Sequence, residues 1–146
     1  MASPRLSAWH GDPDARYAYS GIVHDPLPWL PVLLEIKARI EAALASRFNA
    51  ALANLYRDGR DGMGWHSDNE RELGSTPMIA SASFGAVRRF ALRHRASGRR
   101  ESLLLDSGSL LIMAGDSQRC WQHALPKTAK PCGPRINLTF RYVVAP

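Results

Sequence analysis

The sequence is poor in cysteine and has no long hydrophobic run. Cys120 and Cys132 are too few for a disulfide framework in a chain of 146 residues, so the composition fits a reducing compartment. No apolar stretch approaches the roughly 18 residues that cross a bilayer, and the first residues lack the apolar segment of a signal peptide. We therefore expect an intracellular, cytoplasmic protein with no membrane partner, and the surplus of arginine and alanine favours a bacterial source.

Lysine is also scarce, yet the chain is basic. Nineteen Lys and Arg residues against thirteen Asp and Glu residues give a formal net charge of +6, and all but three of the basic residues are arginine. A basic surplus favours a polyanionic partner such as nucleic acid, although it also serves solubility. With 45% hydrophobic and 22% charged residues, the composition predicts one globular domain over residues 1–146.

One helix followed by many short strands is the predicted order of elements. Pro31 begins a helix whose apolar residues recur every three or four positions, and this helix should end before Asn49. The residues before it resemble loops with one short extended segment at 17–19. Strands are predicted at 52–56, 78–84, 89–95, 102–105, 110–113 and 136–144. This order predicts an α+β fold, a small β-sandwich or jelly roll with a supporting helix.

Two histidines and an aspartate offer a candidate metal site. His66 and Asp68 are two positions apart, so on an extended segment they project from one face. With His123 they supply the two-histidine, one-carboxylate set of non-haem Fe(II) oxygenases. An H-x-D sequence also arises by chance, as a turn histidine beside a capping aspartate. Zinc bound by Cys120, His123 and Cys132 is a second interpretation of the same region.

The last predicted strand carries polar residues on alternate positions. They are Arg135, Asn137, Thr139 and Arg141. A half-exposed strand gives the same alternation. Two guanidinium groups with an amide and a hydroxyl between them also suit a small dicarboxylate, because arginine binds carboxylates through two parallel hydrogen bonds. Asn54 and Tyr56 form a second polar strand face, which strengthens the interpretation as a pocket.

Taken together, these motifs resemble the AlkB family of Fe(II)- and 2-oxoglutarate-dependent nucleic-acid dealkylating dioxygenases, most closely its DNA-repair branch. The resemblance runs from about Pro4 to Tyr142. It is carried by NLYRDGRDGMGWHSDNERELGSTPMIASASFG, LLDSGSLLIMAG, QHALP and PRINLTFR. It implies a double-stranded β-helix, which is a jelly-roll variant, with Fe(II) as cofactor and with 2-oxoglutarate and O2 as cosubstrates.

The resemblance also implies which residues hold the metal and the cosubstrate. Fe(II) would bind His66, Asp68 and His123. The predicted 2-oxoglutarate residues are Asn54, Tyr56, Arg135, Thr139 and Arg141. Among these, Arg141 would take the C5 carboxylate, and Arg135 would lie close to the metal and the substrate base.

For the nucleic acid, the resemblance implies a lid formed by residues 1–30 and two groups of contacts. The substrate base would lie against Tyr17, Tyr19, Asn69 and Glu70, with Glu70 reading the exocyclic amine. Asn69 stands where close relatives often carry a second acidic residue. The phosphate backbone would contact Arg88, Arg89, Arg93, His94 and Arg95, although charges on an edge strand also deter sheet-to-sheet pairing.

The implied reaction is oxidative demethylation of 1-methyladenine and 3-methylcytosine in DNA, a direct-reversal repair. Formaldehyde, succinate and CO2 would be the other products. We expect a monomer without the N-terminal hairpin of duplex-acting relatives, because the chain begins about where that hairpin would have ended. Single-stranded DNA would then be the easier substrate. RNA, a protein substrate and a non-catalytic nucleic-acid-binding domain remain open alternatives.

Overall fold

The computed structural model of this chain describes residues 4–19 and 22–144. The base contact predicted for the Tyr19 side chain lies outside what it describes. Two α-helices occur, α1 at Pro31–Leu44 and α2 at Ser117–Cys120, and a 3-10 turn covers Arg71–Leu73. The strands are β1 Leu6–Gly11, β2 Tyr17–Tyr19, β3 Ile22–His24, β4 Ala50–Tyr56, β5 Met63–His66, β6 Ile79–Gly85, β7 Arg88–His94, β8 Arg100–Leu105, β9 Ser109–Met113, β10 Trp121–Leu125 and β11 Arg135–Arg141.

The strands form two antiparallel sheets and a separate hairpin. The larger sheet has the order β1-β4-β11-β6-β9 and the smaller one β5-β10-β7-β8, while β2 pairs only with β3. Non-consecutive neighbours in both sheets mean that the chain crosses repeatedly between them, as in a jelly roll. The α+β class and the jelly-roll core are therefore confirmed.

Helix α1 supports the outer face of the larger sheet. Leu33 and Ile40 are buried there against Phe140 of the central strand β11. The helix begins at Pro31, as predicted, and ends at Leu44, where Ala45 adopts a left-handed conformation. Phe48 was predicted on the helical stripe, but it reaches the same core from the segment after the helix.

Alternation along β11 separates this helix-side core from the space between the sheets. Leu138 and Phe140 pack toward α1, while the polar residues of β11 face the other sheet. Arg135 and Arg141 are only 3% and 4% exposed, so the polar face of β11 is buried and does not face solvent. These buried cations therefore line the space between the two layers.

Four strands are absent from the sequence prediction, namely β1, β3, β5 and β10. Residues Leu6–Gly11, predicted as a loop, form an edge strand paired with β4. The alternation typical of a strand is hard to recognise here because the strand is short and ends in Gly11. A glycine is needed at that position, since a Cβ would lie 2.8 Å from the Asn49 carbonyl oxygen. Strands β5 and β10 are four and five residues long and carry functional side chains in place of a clear apolar alternation. No helix of the described residues is long and apolar enough to cross a membrane.

Candidate active site

His66, Asp68 and His123 come together between the two sheets. One potential ligand atom from each lies within 4.8 Å of the others. His123 Nε2 is 3.6 Å from Asp68 Oδ2, and His66 Nε2 is 3.8 Å from Asp68 Oδ1. The paired strands β5 and β10 place the two histidines directly opposite each other. Within the described residues this is the one cluster of its kind, and it contains neither cysteine of the zinc interpretation.

A β-bulge directs the His66 side chain into this cluster. Between the pairs His123–His66 and Leu125–Met63, β5 has one residue more than β10. Such a bulge turns the following side chains to the other face of the sheet. As a result both Met63 and His66 line the pocket, although three positions separate them.

Each imidazole is held by a neighbouring group. The Nδ1 atom of His66 lies 2.9 Å from the Gly64 carbonyl oxygen, which can only accept a hydrogen bond. Nδ1 therefore donates to this carbonyl, and Nε2, which faces Asp68, is the ring nitrogen left to coordinate a metal ion. The ring of His123 stacks on Phe90 at a centroid distance of 5.3 Å. Both rings are thus oriented for coordination through Nε2.

The electrostatics of the cluster favour ligands in their metal-binding protonation states. Burial alone would raise the pKa of Asp68, but Arg141, followed by His123 and His66, outweighs burial and holds it below its usual range. Burial lowers the pKa of His123 to about 4, and His66 adds to this effect against the opposing Asp68. Near neutral pH the cluster therefore offers a carboxylate and a neutral imidazole of His123.

A cleft of about 980 Å³, its open mouth included, extends from this cluster between the sheets. The far part of the cleft is lined by Asn54, Tyr56 and Arg135. The guanidinium of Arg135 lies 5.2 Å from the Tyr56 ring and donates to Ser83 Oγ at 2.9 Å. Among the described residues Arg135 has no carboxylate partner, and its Nε has no hydrogen-bond acceptor. A buried cation in this state is suited to an anionic ligand.

The structure reverses the predicted positions of the two arginines of β11. Arg141, and not Arg135, contacts the metal-binding cluster, with Nη1 3.2 Å from Asp68 Oδ1 and Nη2 donating to Thr139 Oγ1 at 3.0 Å. The prediction that Arg135 lies close to the metal is therefore wrong. Six residues of extended strand separate the two positions by roughly 20 Å of backbone, so they serve opposite ends of the cleft. Their shared polar face was evident from the sequence, but not which end meets the metal.

Arg5 also lines the cleft, although no sequence motif indicates it. Its Nε donates to Asn54 Oδ1 at 3.3 Å, and Ser7 Oγ donates to the same oxygen at 2.6 Å. Both residues belong to the region that was taken for a loop, so no strand alternation pointed them inward. Arg5 adds a second cation to the part of the cleft that holds Arg135.

Of the predicted base contacts, Tyr17 and Glu70 lie near the cluster. Tyr17 is buried, stacks on Trp9 at 4.9 Å and lies 5.9 Å from the Arg141 guanidinium. Tyr17 Oη and Glu70 Oε2 are both buried without a hydrogen-bond partner of good geometry. Burial raises the pKa of Tyr17, and the nearby Glu70 carboxylate adds to the rise against the opposing Arg141.

Two further residues differ in their access to the cleft. Asn69 is exposed and is not among the residues that line the cleft. His24, which no sequence motif singled out, lines it from the β2–β3 hairpin. It pairs directly with Tyr17, so the two side chains project from the same face of the hairpin.

The residues predicted to contact phosphates lie in different environments, and the prediction for Arg88 is wrong. Arg88 is only 3% exposed, and its guanidinium donates to three backbone carbonyls, those of Asp58, Asp61 and Pro126. Because side chains alternate between the two faces of β7, the Arg88 side chain points inward, where its hydrogen bonds stabilise a turn. Arg88 is therefore unavailable to a nucleic-acid backbone.

The other four residues of this group remain accessible. Arg89 and Arg95 are exposed, and Arg93 and His94 are partly so. Arg93 lies over the Trp65 ring at 4.4 Å and donates to Gln122. Arg89, Arg93 and His94 thus lie on β7, an internal strand of the smaller sheet, and Arg95, just after it, donates to Ser67 Oγ in the loop that carries Asp68.

A two-sheet jelly roll with two histidines and an aspartate clustered between its layers defines the fold and site of a non-haem iron oxygenase. Comparison with known families agrees. The model of the 2OG-Fe(II) oxygenase superfamily matches residues 1–141, and the chain belongs to this superfamily.

Its relatives include AlkB homologues. The chain is 47% identical to the mouse (Mus musculus) alpha-ketoglutarate-dependent dioxygenase alkB homolog 3, covering 96% of this chain and 52% of the relative. It is 42% identical to the human (Homo sapiens) DNA oxidative demethylase ALKBH2, covering 97% and 57%. The resemblance to the AlkB family is thereby confirmed, and the chain spans about half the length of these relatives.

A solved structure supports the fold. The structure of OsALKBH1 superimposes with a TM-score of 0.69 at 19% sequence identity, over 94% of this chain and 79% of that one. At this identity the match concerns the fold alone.

The side chains of the cleft fit the superfamily's metal and cosubstrate. Two imidazoles and a carboxylate are the donor set of Fe(II) sites that keep coordination positions open. The Nε atoms of Arg135 and Arg141 are buried without acceptors, as expected for a cleft that receives an acidic molecule such as 2-oxoglutarate. Nothing in the donor chemistry conflicts with Fe(II).

Proposed function

We propose that this protein oxidatively removes N-methyl groups from nucleic-acid bases, with 1-methyladenine and 3-methylcytosine in DNA as its substrates. The observation that carries the proposal is the open cleft between the sheets. It joins the His66–Asp68–His123 cluster to a buried arginine at one end and, at the other, to an aromatic wall that includes Tyr17, beside which Glu70 lies. The names of the relatives, an alkB homologue and a DNA oxidative demethylase, support it.

When bound by the three ligands, Fe(II) would couple the decarboxylation of 2-oxoglutarate to hydroxylation of the N-methyl group, which then leaves as formaldehyde. The chain itself supplies the geometry. Arg135, with Tyr56 and Asn54, would hold the carboxylate of 2-oxoglutarate that lies farther from the metal. Arg141 has a different task, because it keeps the Asp68 carboxylate ionised and in place.

The methylated base would lie between the β2–β3 hairpin and the loop after β5. Both proposed lesions carry a positive charge and an exocyclic amine, which match the buried Glu70 carboxylate oxygen that has no hydrogen-bond partner of good geometry among the described residues. Tyr17 offers its hydroxyl beside this oxygen. A base that entered this position would be unstacked from its strand, so the enzyme would act on a flipped or single-stranded nucleotide.

Arg89, Arg93, His94 and Arg95 would contact the phosphates of the substrate strand. Their neighbourhood is rich in cations, and the formal charge of +6 favours a polyanion. Single strands would be preferred and the protein would act as a monomer inside the cell. RNA is the competing substrate, because the proposed contacts read a base and not the sugar.

The test compares oligonucleotides that contain one 1-methyladenine as single-stranded DNA, duplex DNA or RNA, with Fe(II), 2-oxoglutarate and O2. We expect loss of the methyl group with release of formaldehyde, fastest on single-stranded DNA. Glu70→Gln should lower the rate on the charged lesions without changing 2-oxoglutarate binding. Absence of demethylation on all three substrates by metal-loaded protein would contradict the proposal, and a faster rate on RNA would reassign the substrate.

A further inference from the structure

Asp68 is the metal ligand with the least support from the sheets. His66 and His123 belong to the paired strands β5 and β10, whose ladder fixes their backbone. Asp68 follows the end of β5, and the next regular element, a 3-10 turn, begins only at Arg71. The position of its carboxylate must therefore be set by contacts outside the strand ladder.

Two hydrogen bonds attach the Asp68 loop to the segment that leads into β10. The backbone N–H of Asp68 donates to Gln118 Oε1 at 2.8 Å, and Ser67 Oγ donates to the Trp121 carbonyl at 2.6 Å. Gln118 lies on α2, and Trp121 opens the strand that carries His123. The same short segment thus positions Asp68 and His123 relative to each other.

The surroundings of Gln118 point to a role beyond packing. Its side chain is 1% exposed, which is unusual for an amide. The amide nitrogen has Met113 Sδ at 3.6 Å as its partner, and a thioether is a weak acceptor. An apolar residue of the same size would avoid this poorly satisfied donor, so the position gains from an amide only through the bond to Asp68.

We propose that Gln118 is a positioning residue for the metal centre. By accepting the Asp68 N–H, it orients the Asp68 carboxylate toward the two imidazoles before a metal ion arrives. Gln118 contacts neither the metal position nor the cleft itself, so it acts through Asp68. The inference concerns the metal centre and does not depend on which nucleic acid is the substrate.

The test measures Mn²⁺ binding to the metal-free protein, with the free-ion EPR signal as the readout and no turnover. Gln118→Met keeps the volume and removes the acceptor, and we expect affinity for Mn²⁺ to fall about 10-fold or more, as for other residues that orient a ligand. Gln118→Glu retains an oxygen that can accept the same N–H and should recover most of the affinity. Gln122→Met, the same replacement on the neighbouring strand β10, should bind Mn²⁺ like the wild type.

Thermal unfolding of the metal-free variants separates positioning from folding. The proposal expects Gln118→Met to melt cooperatively, somewhat below the wild-type temperature because the buried Asp68 N–H loses its acceptor, but well above the temperature at which its weak Mn²⁺ binding is measured. Wild-type affinity in Gln118→Met would overturn the proposal, as would an equal loss of affinity in Gln122→Met. If Gln118→Met does not fold, Gln118→Asn replaces it, because its amide is too short to reach Asp68. Weak Mn²⁺ binding is again expected, and wild-type affinity would again overturn the proposal.

Discussion

Arg135 and Arg141 face the same cleft from one strand, yet they have different partners. Arg141 is engaged by Asp68, and its charge keeps that buried carboxylate ionised. Arg135 donates to the Ser83 hydroxyl and lies against the Tyr56 ring, and it has no carboxylate partner among the described residues. At the scale of single residues, this difference assigns Arg135 to an incoming carboxylate and Arg141 to the metal ligand.

Replacing Arg135 tests this assignment. Arg135→Ala should weaken 2-oxoglutarate binding to the Mn²⁺-loaded protein by about 10- to 100-fold, since a hydrogen bond to a charged group contributes roughly 1.5–3 kcal/mol. Calorimetric titration measures the affinity. Binding of Mn²⁺ itself should not change, because Arg135 has no contact with the three ligands. Unchanged affinity for 2-oxoglutarate would refute the assignment.

His123 should make the metal-free protein sensitive to mild acid. Its pKa is lowered to about 4 in the folded state, mainly by burial, whereas the unfolded chain binds the proton near the ordinary value of 6.5. As the pH falls between these values the unfolded state gains protons first, so stability is lost. Between pH 7 and pH 5 the loss from His123 should be about 2 kcal/mol.

Urea unfolding in the presence of EDTA, at both pH values, measures this loss. His123→Asn is the comparison, because an amide does not titrate in this range. The wild type should lose more stability than His123→Asn over the interval. Equal losses in the two proteins would show that His123 is not held neutral by its surroundings.

At the scale of elements, helix α1 stabilises the sheet from the side opposite the cleft. Ile40→Ala should lower the free energy of unfolding by roughly 2–5 kcal/mol, because it leaves a cavity against Phe140. Val32→Ala, at a position of the same helix that is 57% exposed, should have little effect. Both variants are compared by urea unfolding. If the folded Ile40→Ala protein bound Mn²⁺ more weakly than the wild type, the claim that α1 acts independently of the metal centre would be wrong.

Elements with long, regular patterns could be predicted from the sequence, and the two short strands that carry the histidine ligands could not. Pro31 and the apolar spacing after it indicate α1, and the alternation along β11 indicates a polar strand face. Strands β5 and β10 are short, and their positions are occupied by Trp65, His66 and His123, so no periodic pattern reveals them. The fold brings His66 and His123 together through a bulge that only the pairing of the strands discloses.

The candidate site shows the same limit. The metal ligands were predictable because their residue types are restricted by chemistry. The inward orientation of Arg88 was not predictable. Six arginines lie between positions 88 and 100, and only the alternation of side chains along the folded strand shows which of them points inward. No sequence motif marks Gln118 or Arg5 as part of the site, because each acts through a hydrogen bond to a residue that is distant in the sequence.

At the scale of the whole molecule, the accessible cations should govern nucleic-acid binding. Replacing Arg93 and Arg95 by alanine should reduce the slope of log affinity against log salt by about 1.4 for single-stranded DNA, at roughly 0.7 per phosphate contact. Fluorescence anisotropy with a methylated oligonucleotide measures the slope. Arg39→Ala, which removes a cation paired with Glu35 on α1, is the control and should leave the slope unchanged. A wild-type slope in the double variant would remove these residues from the interface.

The most direct test of the account is the coupling of methyl removal to 2-oxoglutarate consumption. Wild-type protein with Fe(II), O2 and a 1-methyladenine oligonucleotide should release formaldehyde and succinate in a ratio close to one. Asp68→Ala should release neither above background, since it removes the carboxylate that His66, His123 and Arg141 surround. Formaldehyde release that persists in Asp68→Ala would contradict the central claim that this cluster is the catalytic metal centre.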